Sequence, residues 1–394
     1  MEKTVAEKIL SKAQRLQEKV VAWRRDFHSH PELGFHEERT ARIVADEIER
    51  MGYRVRRKVG GMGVLGDLDI PGAKGRVLLR ADMDALPLPD LTGDPFASQN
   101  PGVCHACGHD AHTAMLLGAA ELLMEMKDEL RTSVRLMFQH AEEANPGGAI
   151  AMVSDGCTEG VDLAFALHVH TQWEAGVWAF RSGPLLAAVD RVSIRVKGQG
   201  GHAASPHLTV DPMVVMAEIV LAVQTIMSRR IRPQDAGVLS LCAVRGGEVF
   251  NVIPDEITLL GTIRSHNEKA REEIKRHLRE ICEGVAKAHG ASAEVILDAS
   301  YPPTVNDPAA TEVVKRTVEG LFGEGKVVEM EKEFGGEDFS YVLQRVPGAF
   351  VFLGCGNKAK GIIAPGHNSL FRIDEDVLWQ GTAMYAGMAL GRNR

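Results

Sequence analysis

Hydrophobic positions recur along this chain with a helical period in some segments and a strand period in others. HEERTARIVADEIERMG has apolar residues at helical spacing and ends at Gly52, a residue type that commonly follows the last turn of a helix. The next segments, YRVRRKV, GMGVLGDLD and GRVLLRADMD, are predicted to be strands. AHTAMLLGAAELLMEMKDEL is apolar almost all round, which predicts a helix buried against a sheet.

Two later segments, SVRLMFQHAEE and VDLAFALHVH, contain continuous apolar runs. Such runs are typical of parallel strands that are covered on both faces. Because strands and helices alternate, we expect an α/β fold with a doubly wound layer. This first domain is predicted to comprise residues 1–186 and, after an insert, residues 299–394.

The pattern changes at about residue 187. The order there is strand, helix, two strands, a long amphipathic helix and a last strand, with Asn267 as the expected N-cap of the long helix and Gly290 after its end. This is the split βαβ plan of a small α+β domain. We therefore expect an inserted domain at residues 187–298.

Composition narrows the class of protein. The 394 residues, 45 % of them hydrophobic, are enough for two domains with their own cores. The net charge of -8 argues against nucleic acids and anionic membranes as partners and favours small molecules or peptides.

The chain also carries signals about its location in the cell. Its N-terminal stretch lacks the apolar core of a signal peptide, and no stretch of about 18 consecutive apolar residues is present, so we expect no membrane span. Six scattered cysteines do not resemble a disulfide framework and indicate a reducing, cytoplasmic setting.

Potential metal ligands recur at the predicted ends of strands and at the start of the buried helix. In an open α/β sheet these ends border the crevice in which ligands bind, so four separate segments are expected to converge. The residues are Asp82, Asp84, Cys107, His109, Glu142, Glu143, His168 and His170.

A thiolate, imidazoles and a carboxylate suit Zn²⁺ or a related first-row ion better than Mg²⁺ or Ca²⁺. One glutamate of the pair Glu142 and Glu143 can bind metal while the other acts as a base, the arrangement that metal-assisted hydrolysis requires. Successive side chains of a strand point in opposite directions, so both reach the site only if the strand has ended before them.

Other interpretations of the same residues remain open. In CHACGHDAH, Cys104 and Cys107 are spaced like a redox pair or half of a structural zinc site, and Cys107 with His109 is a possible nucleophile pair. The two adjacent glutamates are alternatively a solvated turn. Three further histidines are expected to be surface or capping residues: His28, His30 and His36.

The chain resembles the amidohydrolase branch of the aminoacylase and zinc-carboxypeptidase family, which includes hippurate hydrolase, auxin-conjugate amidohydrolase and thermophilic carboxypeptidases. The matching segments follow the family's order: RADMDALP, PGVCHACGHDAHTAMLLGAA, AEEANPGGA, ALHV, GQGGHAASPH, FNVIPDE, GTIRS, GGEDFSY and PGHNSLFRIDE. Two positions depart from it, since His140 stands where relatives commonly have proline and Cys104 where methionine is common.

The resemblance implies a site for two divalent ions, with zinc favoured and manganese, cobalt or nickel as alternatives. Cys107 would bridge the ions where other branches use an aspartate, Glu142 would be the general base, and Asp84 would orient the ligands from behind. The implied ligands are Cys107, His109, Glu143, His168 and His367.

The insert resembles the family's lid, through which subunits associate, and this implies a homodimer or homotetramer. Its His202 would polarise the scissile carbonyl, reaching the site of a neighbouring subunit. Asn251 and Arg264 would hold the α-carboxylate of the substrate.

We therefore expect a cytoplasmic, metal-dependent hydrolase that cleaves the amide bond of N-acyl amino acids or the C-terminal bond of short peptides. Two alternatives are a non-catalytic binding protein on the same fold and an amidase with a cysteine nucleophile.

Overall fold

A computed structural model describes residues 3–299 and 301–391. The chain divides into two units. The first comprises residues 1–183, 305–331 and 338–394, and the second comprises residues 184–304 and 332–337. The predicted insert, residues 187–298, falls inside the second unit, which begins three residues earlier and also takes a short segment from later in the chain.

The strands of the described residues are numbered in chain order. They are β1 (Arg54–Val59), β2 (Gly63–Leu68), β3 (Arg76–Asp82), β4 (Ser133–Gln139), β5 (Leu163–Glu174), β6 (Trp178–Phe180), β7 (Gly183–Leu186), β8 (Ala188–Lys197), β9 (Gly201–His202), β10 (Gly237–Arg245), β11 (Val252–Ile253), β12 (Glu256–Ser265), β13 (Ser292–Ala299), β14 (Thr304–Asn306), β15 (Val327–Glu329) and β16 (Gly348–Gly356).

The α-helices are numbered in the same way. They are α1 (Lys3–Ser29), α2 (Glu38–Met51), α3 (His109–Glu125), α4 (Gly148–Ser154), α5 (Pro212–Thr225), α6 (Glu268–Ala288), α7 (Pro308–Phe322), α8 (Ser340–Leu343) and α9 (Leu378–Leu390).

The first unit is built around one large sheet in the order β1-β2-β4-β3-β5-β16-β6-β15. Its central strands β4, β3, β5 and β16 run parallel, and β4 and β16 are buried along their whole length, as the continuous apolar runs predict. β1, β2 and β6 run antiparallel to a neighbour, so the sheet is mixed rather than wholly parallel. The predicted α/β class is confirmed.

Helices α1, α3 and α9 pack together in the core of the first unit. α3 buries almost every residue, in agreement with its all-round apolar pattern. α2 ends as predicted at Gly52, which adopts a left-handed φ of 102°.

The second unit contains an antiparallel sheet in the order β10-β12-β8-β13, against which α5 and α6 pack. Asp211 caps α5 by accepting a hydrogen bond from the Met213 amide, and Asn267 caps α6 as predicted. Along the chain these elements follow in the order β8, α5, β10, β12, α6 and β13, with the short strands β9 and β11 between them.

One helical segment bears on the expectation that no segment spans a membrane, but it does not contradict that expectation, because core helices of globular proteins can be equally long and apolar. Among the described residues, α5 and the π-helical turn that follows it, together Pro212–Arg230, are long and apolar enough to cross a membrane by length and composition alone. It contains no long uninterrupted apolar run, because polar residues such as Glu218 and Gln224 divide it. Val215, Ile219 and Val223 form its buried face, which leaves much apolar surface on the outside.

Candidate metal centre

Two parallel strands of the first unit end, and a third loses a neighbour, at the same level of the large sheet. This level is at the carboxyl ends of β3 and β4. β3 and β4 run parallel with Asp82 opposite Gln139, so both end at the same level. β5 is paired with β3 only as far as Ala166 and continues beyond it, so His168 lies within β5 rather than at its end. The predicted site residues follow at this level: Asp84 after β3, Glu142 and Glu143 after β4, and His168 in β5.

The start of α3 brings two more predicted ligands to this edge. The helix begins at His109, and Gly108 before it has a left-handed φ of 88°. A Cβ on Gly108 would lie 2.3 Å from a methyl group of Val169, so only glycine lets the chain come this close to β5. Cys107 and His109 consequently lie beside the side chain of His168.

The thiol of Cys107 belongs to two clusters of potential metal ligands. The ligand atoms of Cys107, His109 and His168 lie within 4.8 Å of one another, and so do those of Cys107, Glu143 and His367. The Cys107 Sγ is 3.3 Å from His168 Nε2, and His367 Nε2 is 2.9 Å from Glu143 Oε1. All five predicted ligands therefore lie together, and Cys107 is common to both clusters.

The imidazole rings of His109 and His168 are each oriented by a hydrogen bond through Nδ1, which leaves Nε2 facing the cluster. Nδ1 of His109 lies 3.1 Å from Asp84 Oδ1, and His109 Nε2 has no hydrogen-bond partner among residues 3–299 and 301–391. His168 Nδ1 donates to the Val169 carbonyl at 2.7 Å, which turns Nε2 towards Cys107. In metal sites, a histidine that binds the ion through one ring nitrogen usually hydrogen-bonds a carboxylate or carbonyl oxygen through the other nitrogen. Imidazole nitrogens, a thiol and a carboxylate placed like this suit first-row divalent ions.

Charges around the thiol favour a cation. Burial raises the pKa of Cys107, and the negative charges of Glu143 and Glu142 raise it further. Burial also holds the pKa of His168 well below its usual range, so that imidazole is neutral beside the thiol. A nucleophilic cysteine needs surroundings that lower the pKa of its thiol, whereas a metal ion would offset these acidic neighbours.

The pair Glu142 and Glu143 follows a sharp change in backbone direction. β4 ends at Gln139, and Ala141 adopts a left-handed φ of 51°. The strand has therefore ended before both side chains, as the prediction requires, and it ends four residues before the end of the segment SVRLMFQHAEE. Carboxylate oxygens of both residues lie within 4.8 Å of each other and of a His109 nitrogen.

His112, also in CHACGHDAH, has both ring nitrogens occupied. Nδ1 lies 2.6 Å from Asp82 Oδ1, and Nε2 accepts the Val169 N–H at 2.9 Å. Asp82 is in turn bound by the buried Arg80 at 2.6 Å. Asp82, His109 and His112 form a compact group, but both ring nitrogens of His112 are already used in these hydrogen bonds. Its ring packs against the ring of His168, with centroids 4.5 Å apart.

The expectation that His28 lies at the surface or caps a helix is wrong. Its side chain is buried in α1, with Nδ1 2.8 Å from Asp110 and Nε2 3.2 Å from Asp90. The signal was present in the sequence, because Val20, Arg24 and His28 recur every four residues along the buried stripe of α1.

The departures from the family pattern are both buried. His140 packs edge-on against Phe35, with ring centroids 5.8 Å apart, and burial lowers its pKa. Burial raises the pKa of Cys104 to about 12, so this thiol is protonated at neutral pH. Cys104 is in neither cluster that contains Cys107, and both cysteines are free thiols.

The predicted catalytic residue His202 and the predicted substrate-binding residues Asn251 and Arg264 belong to the second unit. His202 is exposed on β9 and lies opposite Val252 of β11, next to the exposed Asn251. Arg264 is half-buried on β12, where its guanidinium contacts the Thr262 hydroxyl and burial lowers its pKa.

Comparison with known proteins gives consistent matches. The model of the peptidase family M20/M25/M40 matches residues 78–391. Thermostable carboxypeptidase 1 of Saccharolobus solfataricus is 39 % identical over 389 residues, which cover 98 % of each chain. The N-acyl-L-amino acid amidohydrolase of Geobacillus stearothermophilus is 43 % identical over 288 residues, which cover 73 % of this chain and 78 % of that protein.

A solved structure from Bacillus subtilis, described as a dinuclear metal binding peptidase from the M20 family, superposes with a TM-score of 0.84 at 31 % identity. The match covers 96 % of this chain and 98 % of that one. These findings confirm the resemblance that the sequence motifs indicate. The chain belongs to the peptidase family M20/M25/M40, a family of metal-dependent amide hydrolases.

Proposed function

We propose that this protein hydrolyses the amide bond of N-acyl amino acids or releases the C-terminal residue of short peptides. The observation that carries the proposal is the Cys107 thiol shared by two ligand clusters beside Glu142 and Glu143. The names of the relatives, a carboxypeptidase and an N-acyl-L-amino acid amidohydrolase, support this substrate class. Both names describe cleavage of an amide bond next to an amino acid.

We infer that the five clustered ligands hold two divalent ions, zinc or another first-row ion. Held there, the ions would polarise the scissile carbonyl and lower the pKa of the attacking water. Asp84 fixes the ring of His109 and also accepts the amide of Glu143 at 2.9 Å, so one carboxylate orients two ligands.

Glu142 is proposed to move the proton. Its carboxylate would take a proton from the attacking water and deliver it to the leaving amine, so that the amine departs neutral. We propose that His202, reaching the site of a neighbouring subunit, hydrogen-bonds the carbonyl oxygen as negative charge develops on it. The fork of the Arg264 guanidinium suits a carboxylate, and Asn251 adds an amide donor, so both are assigned to the α-carboxylate of the substrate.

A metal and substrate panel tests this function. After chelator stripping, the protein should hydrolyse N-acyl amino acids or short peptides only when Zn²⁺, Mn²⁺, Co²⁺ or Ni²⁺ is restored. Arg264→Ala should raise KM for the carboxylate substrates about 10- to 100-fold, and should leave the weak turnover of decarboxylated analogues unchanged.

Less than one bound metal per chain, with no hydrolysis of any substrate, would instead indicate a binding protein. Hydrolysis that survives chelation but not thiol alkylation would indicate a cysteine nucleophile.

We propose that the second unit mediates association of identical subunits. β10 lies at an edge of its sheet, where no strand of the described chain pairs with its outer side. Apolar side chains are exposed on α5, on β10 and in the loop that follows it, including Leu221 at 74 % and Phe250 at 96 %. An edge strand and an apolar patch in one unit suit a two-fold interface.

Light scattering would check this assembly. Wild-type protein should be a dimer or tetramer, whereas Phe250→Asp combined with Leu221→Asp should shift it to monomer. Val313→Asp, a change of an exposed apolar residue on α7, is the matched control and should leave the mass unchanged. A monomeric wild type would contradict the proposal.

We also propose a cytoplasmic location, which the six free thiols suit. Cell fractionation would check it, and recovery of the protein outside the cytoplasm would contradict it.

A further inference from the structure

Glu37 directly precedes α2, yet its side chain does not cap that helix. The first amides of α2 are bound by Glu32 instead, whose Oε1 accepts from the Arg39 amide at 2.9 Å and whose Oε2 accepts from the Thr40 amide at 2.8 Å. An acidic residue at a helix start usually serves this purpose. Glu37 is fully buried and points elsewhere.

The carboxyl group of Glu37 binds the backbone next to the proposed general base. Its Oε1 accepts the N–H of Ala141 at 2.7 Å. Ala141 has a left-handed φ of 51°, an uncommon conformation for a residue with a Cβ, and it immediately precedes Glu142. Such backbone persists only when surrounding contacts hold it.

Asp84 binds the other side of the same turn. Its Oδ2 accepts the N–H of Glu143 at 2.9 Å. Two carboxyl groups from different parts of the chain, Glu37 and Asp84, therefore hold the amides on both sides of Glu142. This arrangement fixes where the Glu142 side chain leaves the backbone.

The loop that carries Glu37 is shaped to this turn. A Cβ on Gly34 would lie 2.8 Å from the Cβ of Ala144 and 3.2 Å from the Cα of Ala141, so glycine permits the approach. On its other side the loop is joined to the end of β3, because the Ala85 amide donates to the Glu32 carbonyl at 2.8 Å. The loop thus links the ends of β3 and β4.

We propose that Glu37 is a positioning residue that holds the Ala141–Glu143 turn and thereby directs Glu142 at the substrate. This inference rests on the proposed function of Glu142. Glu37 does not contact the substrate in this role, and it acts through the Ala141 amide.

The charge of Glu37 is consistent with this role. Burial and the nearby charge of Asp84 raise the pKa of Glu37 to about 8, so the group is mainly protonated at pH 7. A neutral carboxyl group keeps a carbonyl oxygen as acceptor for Ala141 without placing another negative charge beside Asp84. Glutamine has the same size and the same kind of acceptor, so it should substitute well.

The test compares Glu37→Ala with Glu37→Gln. We expect Glu37→Ala to lower kcat about 10- to 100-fold with KM and metal content unchanged, because small displacements of a catalytic group have effects of this size. Glu37→Gln should stay within about threefold of the wild-type kcat, because its side-chain carbonyl still accepts the Ala141 N–H.

Hydrogen exchange gives a readout that is independent of activity. In metal-free protein, the Ala141 amide should exchange faster in Glu37→Ala and at the wild-type rate in Glu37→Gln. Tyr53→Phe is the matched control, since it removes a buried hydrogen bond to the Ala120 carbonyl in another part of the first unit. It should lower stability and leave kcat unchanged.

Several outcomes would overturn the inference. These are a wild-type kcat in Glu37→Ala, a loss of metal in that variant, or a more than tenfold fall in kcat for Glu37→Gln. If Glu37→Ala does not fold, Glu37→Gln still tests the inference, which then requires a nearly wild-type kcat and a wild-type exchange rate of the Ala141 amide in that variant. A wild-type protein that hydrolyses no amide would reject the proposed function instead. Unchanged exchange of the Ala141 amide in Glu37→Ala would reject the contact between Glu37 and Ala141, and with it this inference, without affecting the proposed function.

Discussion

Glu142→Ala should lower kcat by roughly 10²- to 10⁴-fold while the protein keeps its metal, because a positioned general base and acid contributes an acceleration of this size. The side chain lies beside the ligand clusters, but none of the five predicted ligands would be removed. Steady-state kinetics on an N-acyl amino acid, together with elemental analysis of the dialysed protein, would measure both effects.

The neighbouring glutamate is the matched control for this experiment. Glu143 pairs with His367 and shares a cluster with Cys107, so Glu143→Ala should lose metal together with activity. The two variants remove the same chemical group one residue apart and should differ in metal content. A Glu142→Ala protein with kcat within tenfold of the wild type would reject Glu142 as the base.

Cys107→Ser is expected to weaken metal binding more than about 100-fold. Loss of a residue that only hydrogen-bonds a metal ligand already lowers metal affinity roughly 10- to 100-fold, and loss of a ligand itself should cost more. The reason is that the Cys107 Sγ belongs to both clusters, so its loss removes a donor from each. Titration with Co²⁺ would measure the affinity, and the thiolate-to-cobalt absorption of the wild type should disappear in the variant.

Two further variants separate a ligand from a nucleophile. Cys104→Ser changes the neighbouring cysteine and should bind metal normally, because Cys104 is in neither cluster. Cys107→Asp should recover part of the metal affinity, since a carboxylate can also bind two ions. A Cys107→Ser protein that binds metal at wild-type affinity but lacks activity would support the nucleophile and reject the shared ligand.

The grouping of ligands could be predicted from sequence because it depends on strand ends. Asp84, Glu142 and Cys107 all follow or precede buried apolar segments, and parallel strands bring such ends to one edge. His367 was different. It lies in a loop without a periodic apolar pattern and has a left-handed φ of 61°. Local sequence therefore gives no indication of its position, and its place beside Glu143 could be predicted only from the family resemblance.

Strand direction and contacts of buried polar groups could not be predicted in the same way. β16 lies between β5 and β6 although it comes far later in the chain, and local sequence carries no record of that pairing. β5 was expected to end near His170 but extends to Glu174, because β16 continues beside it.

Glu37 shows the same limit for side chains. In sequence it is one of two adjacent acidic residues at a helix start, a pattern that indicates capping and nothing more. Its contact with Ala141 joins residues more than a hundred positions apart. Only the folded chain reveals that Glu32 caps the helix in its place.

The position of β16 in the middle of the large sheet also affects how the protein folds during synthesis. The sheet of the first unit has a gap between β5 and β6 until Gly348–Gly356 has left the ribosome. Residues 184–304, nearly all of the second unit, emerge before that point and can fold as a domain. The first unit therefore completes its large sheet only after the second unit has been synthesised, and the set of five proposed ligands is complete only when His367, which follows β16, has also emerged.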